Sequence, residues 1–117
     1  MILILTQCFP PRLGGIETLM GGLADALAAS GRSVHVLADG ADPEASDAGR
    51  AYPVARFTSP KLVRRRFKAA AARSLLDAGV EAVIADSWKS LQPPLGPLVR
   101  RQSPGRILCL AHGMEFP

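Results

Sequence analysis

One complete β-α-β unit is predicted by residues 1–37, which read MILILTQCFPPRLGGIETLMGGLADALAASGRSVHVL. Residues 1–5 form a continuous apolar run, typical of a strand that is buried on both faces of a parallel sheet. A loop follows over residues 6–15. Apolar residues then recur at helical spacing and predict an amphipathic helix that ends near residues 30–31. Residues 34–37 supply the second strand.

The rest of the chain continues the alternation of strands and helices. Residues 38–50 are rich in small and polar residues without an apolar period, which indicates an irregular, mobile surface loop. The predicted strands are residues 54–57, 82–85 and 107–111, and the predicted helices are residues 61–78 and 94–102. Such alternation predicts an α/β fold with an open parallel sheet of about five strands and helices on both faces, as in Rossmann-like domains.

Two glycines, Gly21 and Gly22, lie inside the first predicted helix. Each one destabilises a helix interior by ~1 kcal/mol relative to alanine. The usual reason to accept this cost is close approach to a neighbouring backbone. We therefore expect the helix to pack closely against another segment at these positions.

Length and composition bound the class of protein. A chain of 117 residues and 12.4 kDa has room for one domain, and 48% apolar with 21% charged residues is ordinary for a globular protein. The apolar runs are too short to span a bilayer, and no basic start precedes residues 2–5, which argues against a signal peptide. We expect a cytoplasmic protein, whose formal net charge of +4 favours anionic partners.

The two cysteines, Cys8 and Cys109, are too few for a zinc site, and we expect both to be reduced and to fill the apolar core. No cluster of histidine, cysteine and carboxylate residues has the spacing of metal ligands elsewhere in the chain. The sequence therefore predicts neither a metal nor another cofactor.

The loop before the first helix carries two adjacent glycines, Gly14 and Gly15. Glycines at the start of a helix let backbone amides approach a phosphate, although they equally suit a tight turn. Glu17 lies in the first helical turn, where a carboxylate is stabilised by the helix dipole. A dinucleotide site is disfavoured, because its Gly-x-Gly-x-x-Gly fingerprint is absent and Asp39 alone would mimic the ribose-binding acid.

Several segments together resemble the start of the family 4 glycosyltransferases. They include PPRLGGIE at residues 10–17, LADAL at 23–27, GRSVHVL at 31–37, EAVIADSW at 81–88 and LAHGMEF at 110–116. The resemblance covers essentially the whole chain, in the family's order and spacing. Members are retaining, nucleotide-sugar-dependent enzymes of the GT-B type, with two Rossmann-like domains facing each other across a cleft.

The resemblance implies roles for particular residues. The first domain of such enzymes mainly holds the acceptor, a glycan, a lipid or a small molecule, while the second grips the nucleotide-sugar donor. Gly14 and Gly15 would then bring their amides to the donor diphosphate, and His112 would lie beside the transferred sugar as the catalytic residue. Gly113 would contact substrate next to it. Enzymes of this type generally need no metal.

The sequence also departs from the family. The second domain of these enzymes carries two glutamates separated by seven residues, and no two glutamates here have that separation. We therefore expect residues 1–117 to be a single, incomplete N-terminal domain without the nucleotide-sugar-binding domain, and to be inactive as a transferase alone. The absent partners should also leave apolar surface exposed, which favours self-association.

The predicted helix over residues 61–78 carries a cluster of basic residues. Two interpretations of this cluster are open. It is either a solvated helix face, or a patch that attracts the anionic group of a lipid-linked or phosphorylated acceptor at the inner face of the membrane. Nucleic acid is not expected, because no aromatic residues interleave with the charges. The residues assigned to this membrane contact are Lys61, Arg64, Arg65, Arg66 and Lys68.

Two further residues are candidates for substrate contact. Arg12 lies beside the glycines and could meet a phosphate, and Trp88 follows the fourth strand, where its ring could stack on an acceptor sugar or simply fill the rim. An alternative to the enzyme remains open: a non-catalytic α/β module that uses the same glycine loop to bind a phosphorylated small molecule or a protein partner.

Overall fold

A computed structural model describes residues 1–11, 14–42, 45–102 and 105–110. Within these residues the chain forms one five-stranded, all-parallel sheet and three α-helices, which confirms the predicted α/β fold. The strands are β1 (Ile2–Thr6), β2 (Val34–Asp39), β3 (Val54–Phe57), β4 (Ala82–Ala85) and β5 (Arg106–Cys109). The helices are α1 (Gly15–Ala29), α2 (Lys61–Ala78) and α3 (Leu95–Gln102), and short 3-10 turns span Ser46–Gly49 and Trp88–Leu91.

The strand order is β3-β2-β1-β4-β5, with β1 at the centre of the sheet. Leu3 of β1 pairs with His35 of β2 on one side and with Val83 of β4 on the other. The order of strands reverses between β1 and β4, since the chain first builds outward through β2 and then returns. In open α/β sheets, ligands bind at such a reversal, beyond the carboxyl ends of the strands.

The two faces of β1 pack against different helices. Ile2 and Ile4 lie in one core cluster with Met20 and Ala24 of α1. Leu3 and Leu5 lie in a second cluster, which also contains Ala72 and Leu76 of α2 and Val99 of α3. Every residue of β1 is buried, as the apolar run predicts.

The boundaries of α2 match the prediction at both ends. Pro60 precedes its first residue, and proline is compatible with a helix start because its missing amide has no helical partner there. Gly79 follows its last residue with φ of 106°, a conformation that residues with a β-carbon rarely adopt. The prediction for β5 was less accurate, since the strand begins at Arg106 and ends at Cys109.

The described part of the segment over residues 38–50 is more regular than predicted. β2 continues to Asp39, and Ser46–Gly49 form a 3-10 turn rather than irregular loop. The Asp42 carboxylate explains the turn, because it accepts hydrogen bonds from the backbone amides of Ser46 at 3.0 Å and Asp47 at 2.7 Å. The order of this turn therefore comes from a side chain that binds neighbouring backbone amides, and not from a periodic pattern of apolar residues.

Two other local predictions, one about the glycines inside α1 and one about the cysteines, agree only partly with the structure. A β-carbon on Gly21 would lie 2.7 Å from Cγ of Pro10, so α1 does approach the loop before it closely, whereas nothing lies within 4 Å of such an atom on Gly22. Gly21 therefore has the close neighbour expected, although it is a proline ring and not a backbone, and the prediction is wrong for Gly22. Cys8 is half-buried, but Cys109 is exposed on the edge strand β5, so the prediction that it fills the core is wrong.

The outer surface carries several exposed apolar side chains, as the sequence analysis predicts. Leu62 and Phe67 on α2 are 74% and 55% exposed. Ile107 and Leu108 of β5 are exposed as well. Across the described part of the chain, no helix combines the length and the apolar character that crossing a membrane requires.

Candidate functional site: a basic cleft at the carboxyl edge of the sheet

A cleft of about 630 Å³ opens at the carboxyl edge of the sheet, where the fold predicts a ligand site. Its lining includes the first residues after β1 and the last residue of β2, together with side chains from α2 and from the turn after β4. The charged residues in the lining are Asp39, Arg56, Lys61, Arg64, Arg65 and Lys89. Five cations and one carboxylate therefore surround the cleft.

Helical spacing explains why α2 supplies so many of these cations. Lys61, Arg64, Arg65 and Lys68 follow the pattern i, i+3, i+4 and i+7, which places them on one face of a helix. Arg66 falls outside this pattern and does not line the cleft; it lines a second groove with Leu62 and Pro94, which Arg65 also borders. The basic cluster of the sequence is thus divided, with one part facing the sheet edge and one part facing outward.

Asp39 forms ion pairs with two of the α2 cations. One carboxylate oxygen lies 3.1 Å from Nζ of Lys68 and the other 3.4 Å from Nε of Arg64. Lys68 is only 3% exposed and also donates a hydrogen bond of 2.9 Å to the backbone carbonyl of Thr6. Burial lowers the pKa of Lys68, and the neighbouring Asp39 opposes that shift. Lys68 therefore ties α2 to β1 and β2 rather than facing solvent.

Three cations of the cleft keep their charge without a carboxylate partner among the described residues. The Arg65 guanidinium donates a hydrogen bond to the side-chain amide oxygen of Gln92, which fixes its position without neutralising it. The side chains of Lys61 and Lys89 are exposed and make neither an ion pair nor a hydrogen bond with any described residue. The cleft consequently carries excess positive charge.

Asp86 fastens the point where the strand order reverses. It is 3% exposed, and its carboxylate accepts hydrogen bonds from the Thr6 hydroxyl at 3.0 Å, from the Gln7 amide at 2.9 Å and from the Ser90 hydroxyl. These contacts connect the end of β1 with the residues that follow β4. A buried, multiply bonded carboxylate here holds the floor of the cleft in one arrangement.

The first half of the glycine loop is anchored by an arginine pair. Phe9 is 1% exposed, and the guanidinium groups of Arg50 and Arg56 lie 5.0 and 5.6 Å from the centre of its ring. Both arginines also donate hydrogen bonds to the carbonyl of Pro10. Asp47 balances them, with oxygens 2.9 Å from Nε of Arg50 and 2.8 Å from Nε of Arg56.

The second half of the loop presents the two glycines at the start of α1. Gly14 and Gly15 are both exposed. The Glu17 carboxylate folds back over Gly14, since a β-carbon there would lie 2.6 Å from Oε2 of Glu17. A glutamate at the third helical position reaches back in this way in a capping box. Glu17 is buried, and its carboxylate lies beside the backbone of Gly14 at the start of α1.

The other predicted site residues are distributed unevenly. Arg12, His112 and Gly113 lie outside the described residues, so their roles stay predictions. Trp88 is 49% exposed at the start of the second 3-10 turn, one residue before Lys89. It does not line the cleft, and its proposed stacking on a sugar also stays a prediction.

Several residues of the cleft were not singled out from the sequence. Arg56, Lys89 and Gln92 gave no local signal, because only the fold brings these three positions to one edge of the sheet. The basic stripe of α2 did give one, since the i, i+3, i+4, i+7 spacing can be read directly from the sequence. Within the described ranges, no group of three or more histidine, cysteine or carboxylate residues is placed to hold a metal ion.

Neither the known protein-family models nor the curated proteins give a match to this chain. The class of protein is therefore the one that the structure itself defines. It is an α/β domain with an open, all-parallel sheet and a basic cleft at the carboxyl edge.

Proposed function

We propose that the chain is the acceptor-side part of a retaining, nucleotide-sugar-dependent glycosyltransferase of the GT-B type. The observation that carries the proposal is the polar cleft of about 630 Å³ at the carboxyl edge, lined by Gln7, Cys8 and Phe9, which begin the stretch of sequence that leads to Gly14 and Gly15. An acceptor site and a diphosphate-binding loop must adjoin in such an enzyme, because the sugar passes between them. The sequence resemblance described above supports the same assignment.

The cleft and the glycine loop would bind different substrates of the transfer reaction. The acceptor would occupy the cleft, with Asp39, Gln7 and Gln92 available to bind its hydroxyl groups. The oxygen of an acceptor hydroxyl would attack the anomeric carbon as the bond to the donor diphosphate breaks, and the hydroxyl proton would pass to the departing phosphate oxygen. Amides of Gly14 and Gly15 would stabilise the negative charge that develops on the departing diphosphate. His112 would lie by the transferred sugar, as the resemblance implies.

A titration of the isotope-labelled chain with uridine diphosphate and guanosine diphosphate, followed by amide NMR, tests the glycine loop. We expect one of these nucleotides to shift the amide resonances of Gly14 and Gly15, while the nucleosides without phosphate leave them unchanged. Gly22 is the internal control, because it is exposed on the same helix but far from its first turn. The proposal fails if neither diphosphate shifts the two glycines at millimolar concentration.

A substitution at Glu17 sharpens this test. Glu17→Gln removes the negative charge beside Gly14 but keeps the size and hydrogen-bonding capacity of the side chain. We expect it to tighten diphosphate binding, because the phosphates then meet no carboxylate at the helix start. An unchanged affinity would mean that the nucleotide binds somewhere else.

The second candidate is a non-catalytic module that binds a phosphorylated small molecule. The observation in its favour is that five cations and one carboxylate line the cleft among the described residues, a charge balance that suits a phosphorylated ligand. The reading frame beyond Pro117 separates the candidates. A further Rossmann-like domain carrying two glutamates separated by seven residues supports the transferase, and a stop codon supports the binding module.

A further inference from the structure

We propose that the cleft contains a phosphate subsite formed by Lys61, Arg65 and Lys89, and that its ligand is a small phosphomonoester bearing hydroxyl groups. The proposal rests on the cleft being the ligand site, as both candidate functions require, and it adds the chemistry of the ligand. It concerns α2 and the turn after β4, not the glycine loop.

The charge balance of the cleft is the first argument. Asp39 pairs with both Arg64 and Lys68, and Asp47 pairs with both Arg50 and Arg56, so neither carboxylate has negative charge left for a further cation. Lys61, Arg65 and Lys89 are the cleft cations that these carboxylates leave uncompensated. Three like charges around one concave surface repel each other, and a bound dianion removes that repulsion.

The geometry around Arg65 is the second argument. Its hydrogen bond to Gln92 orders the guanidinium before any ligand arrives. Arginine presents a planar fork of donors that matches two oxygens of a phosphate, and a prearranged fork loses little entropy on binding. Lys61 and Lys89 can complete the site as more mobile point charges from either side of the cleft.

The start of α2 is the third argument. No side chain caps this helix, and its first turn contains no acidic residue, whereas α1 has Glu17 in that place. Lys61 is the first residue of α2 and also lines the cleft. The partial positive charge of the helix N-terminus therefore adds to the charge of the three side chains instead of being neutralised.

The size and the remaining lining define the rest of the ligand. A phosphate group fills only a small part of about 630 Å³, a volume typical of sites for small molecules. The carboxylate of Asp39 and the amides of Gln7 and Gln92 line the same cleft and can bind hydroxyl groups. A sugar or polyol phosphate combines both features.

Calorimetric titration with glucose-6-phosphate and with glucose tests this proposal on the full chain. We expect the phosphate ester to bind and glucose to bind at least tenfold more weakly, with the affinity for the ester falling as salt is raised. Equal affinities for the two probes would overturn the phosphate subsite while leaving the cleft available for an acceptor sugar. The NMR titration of Gly14 and Gly15 tests the transferase separately.

A matched pair of variants assigns the binding to particular residues. Arg65→Gln should weaken the binding of glucose-6-phosphate about tenfold or more, as expected for the loss of a charged hydrogen bond. Arg66→Gln removes the same charge one residue further along α2, outside the cleft, and should leave the affinity unchanged. Equal losses in both variants would refute the assignment. Lys61→Gln, at an exposed position without contacts to break, repeats the test should Arg65→Gln unfold.

Vesicles distinguish a free phosphate ester from a lipid headgroup. Sedimentation with phosphatidylglycerol vesicles, compared with neutral phosphatidylcholine vesicles, measures the membrane contact that the sequence suggests. Binding to the anionic vesicles together with no affinity for glucose-6-phosphate would overturn the proposal, because the cations would then serve a surface and not a cleft.

Discussion

Replacing Lys68 by methionine should destabilise the fold, because this lysine joins three elements from a buried position. Its ammonium group donates to the Thr6 carbonyl at 2.9 Å and pairs with Asp39 at 3.1 Å. Methionine has nearly the same length and helix propensity, so the change removes these two contacts and little else. Asp39 keeps Arg64 as a partner, but the Thr6 carbonyl loses the donated bond.

The contacts set the expected magnitude. Leaving a buried acceptor without its donor costs about 1–3 kcal/mol, and breaking a buried ion pair costs about 3–5 kcal/mol when the remaining charge has no other partner. Here Arg64 still compensates Asp39, and removing the charge of Lys68 also removes its desolvation cost. We therefore expect a net loss of about 2 kcal/mol in the free energy of unfolding.

Urea unfolding followed by circular dichroism measures this loss. With a typical dependence of about 1–3 kcal/mol per molar urea, the midpoint should fall by roughly 1 M. Lys61→Met is the matched control, since Lys61 has the same side chain on the same helix but is exposed and lacks such contacts, and it should change stability by no more than about 0.5 kcal/mol. Equal midpoints for the two variants would refute the reasoning.

The pH dependence provides a second readout for Lys68. Burial lowers its pKa from the ordinary 10.5, so between the folded value and 10.5 the unfolded chain binds one proton more than the folded chain. The stability that this group contributes therefore rises with pH across that window. The difference in stability between the wild type and Lys68→Met should grow over the same interval.

Two further predictions concern other parts of the fold. Burial, with a hydrogen bond of 2.6 Å to Asp25, raises the pKa of Tyr52 to about 12, so stability should fall by about 2 kcal/mol as the pH rises from 10 to 12, and Tyr52→Phe should abolish that fall in alkaline urea titrations. Gly22→Ala should stabilise α1 by up to about 1 kcal/mol because its surroundings are open, while Gly21→Ala should destabilise the protein, since the new methyl group meets the Pro10 ring; thermal melts of the two variants should shift in opposite directions.

The fold could be predicted because local patterns and tertiary structure agree along most of the chain. The run over residues 2–5 is apolar on both faces, and both faces of β1 are indeed covered by helices. The limits of α2 follow from Pro60 and Gly79, which act through their own backbone preferences. The 3-10 turn at Ser46–Gly49 escaped prediction, because its order comes from side chains binding backbone amides and from arginines in other segments.

The candidate site was predictable in position but not in composition. Parallel strands place their carboxyl ends on one edge, so the location of the cleft follows from the order of elements alone. The division of labour among the α2 cations does not follow. Lys61 and Lys68 have identical side chains on one helical face. Lys68 contacts Asp39 and the Thr6 carbonyl at the end of β1 and is therefore a buried structural residue, whereas Lys61 is a candidate for ligand binding.

The starts of α1 and α2 differ in charge, and this difference predicts which of the two sites binds an anion more tightly. The glycine loop offers accessible backbone amides, but the Glu17 carboxylate lies against Gly14 and opposes a phosphate there. The cleft beside the α2 start is lined by the three cations Lys61, Arg65 and Lys89, which have no carboxylate partner among the described residues, and the first turn of α2 has no acidic residue. Inorganic phosphate should therefore perturb the amides near Lys61 and Lys89 at lower concentration than those of Gly14 and Gly15, and Glu17→Gln should narrow that gap. A diphosphate donor would then depend on its other contacts to overcome Glu17, and a simple phosphate ester would prefer the cleft. Reversal of this order in an NMR titration would show that backbone amides outweigh side-chain charge at this edge of the sheet.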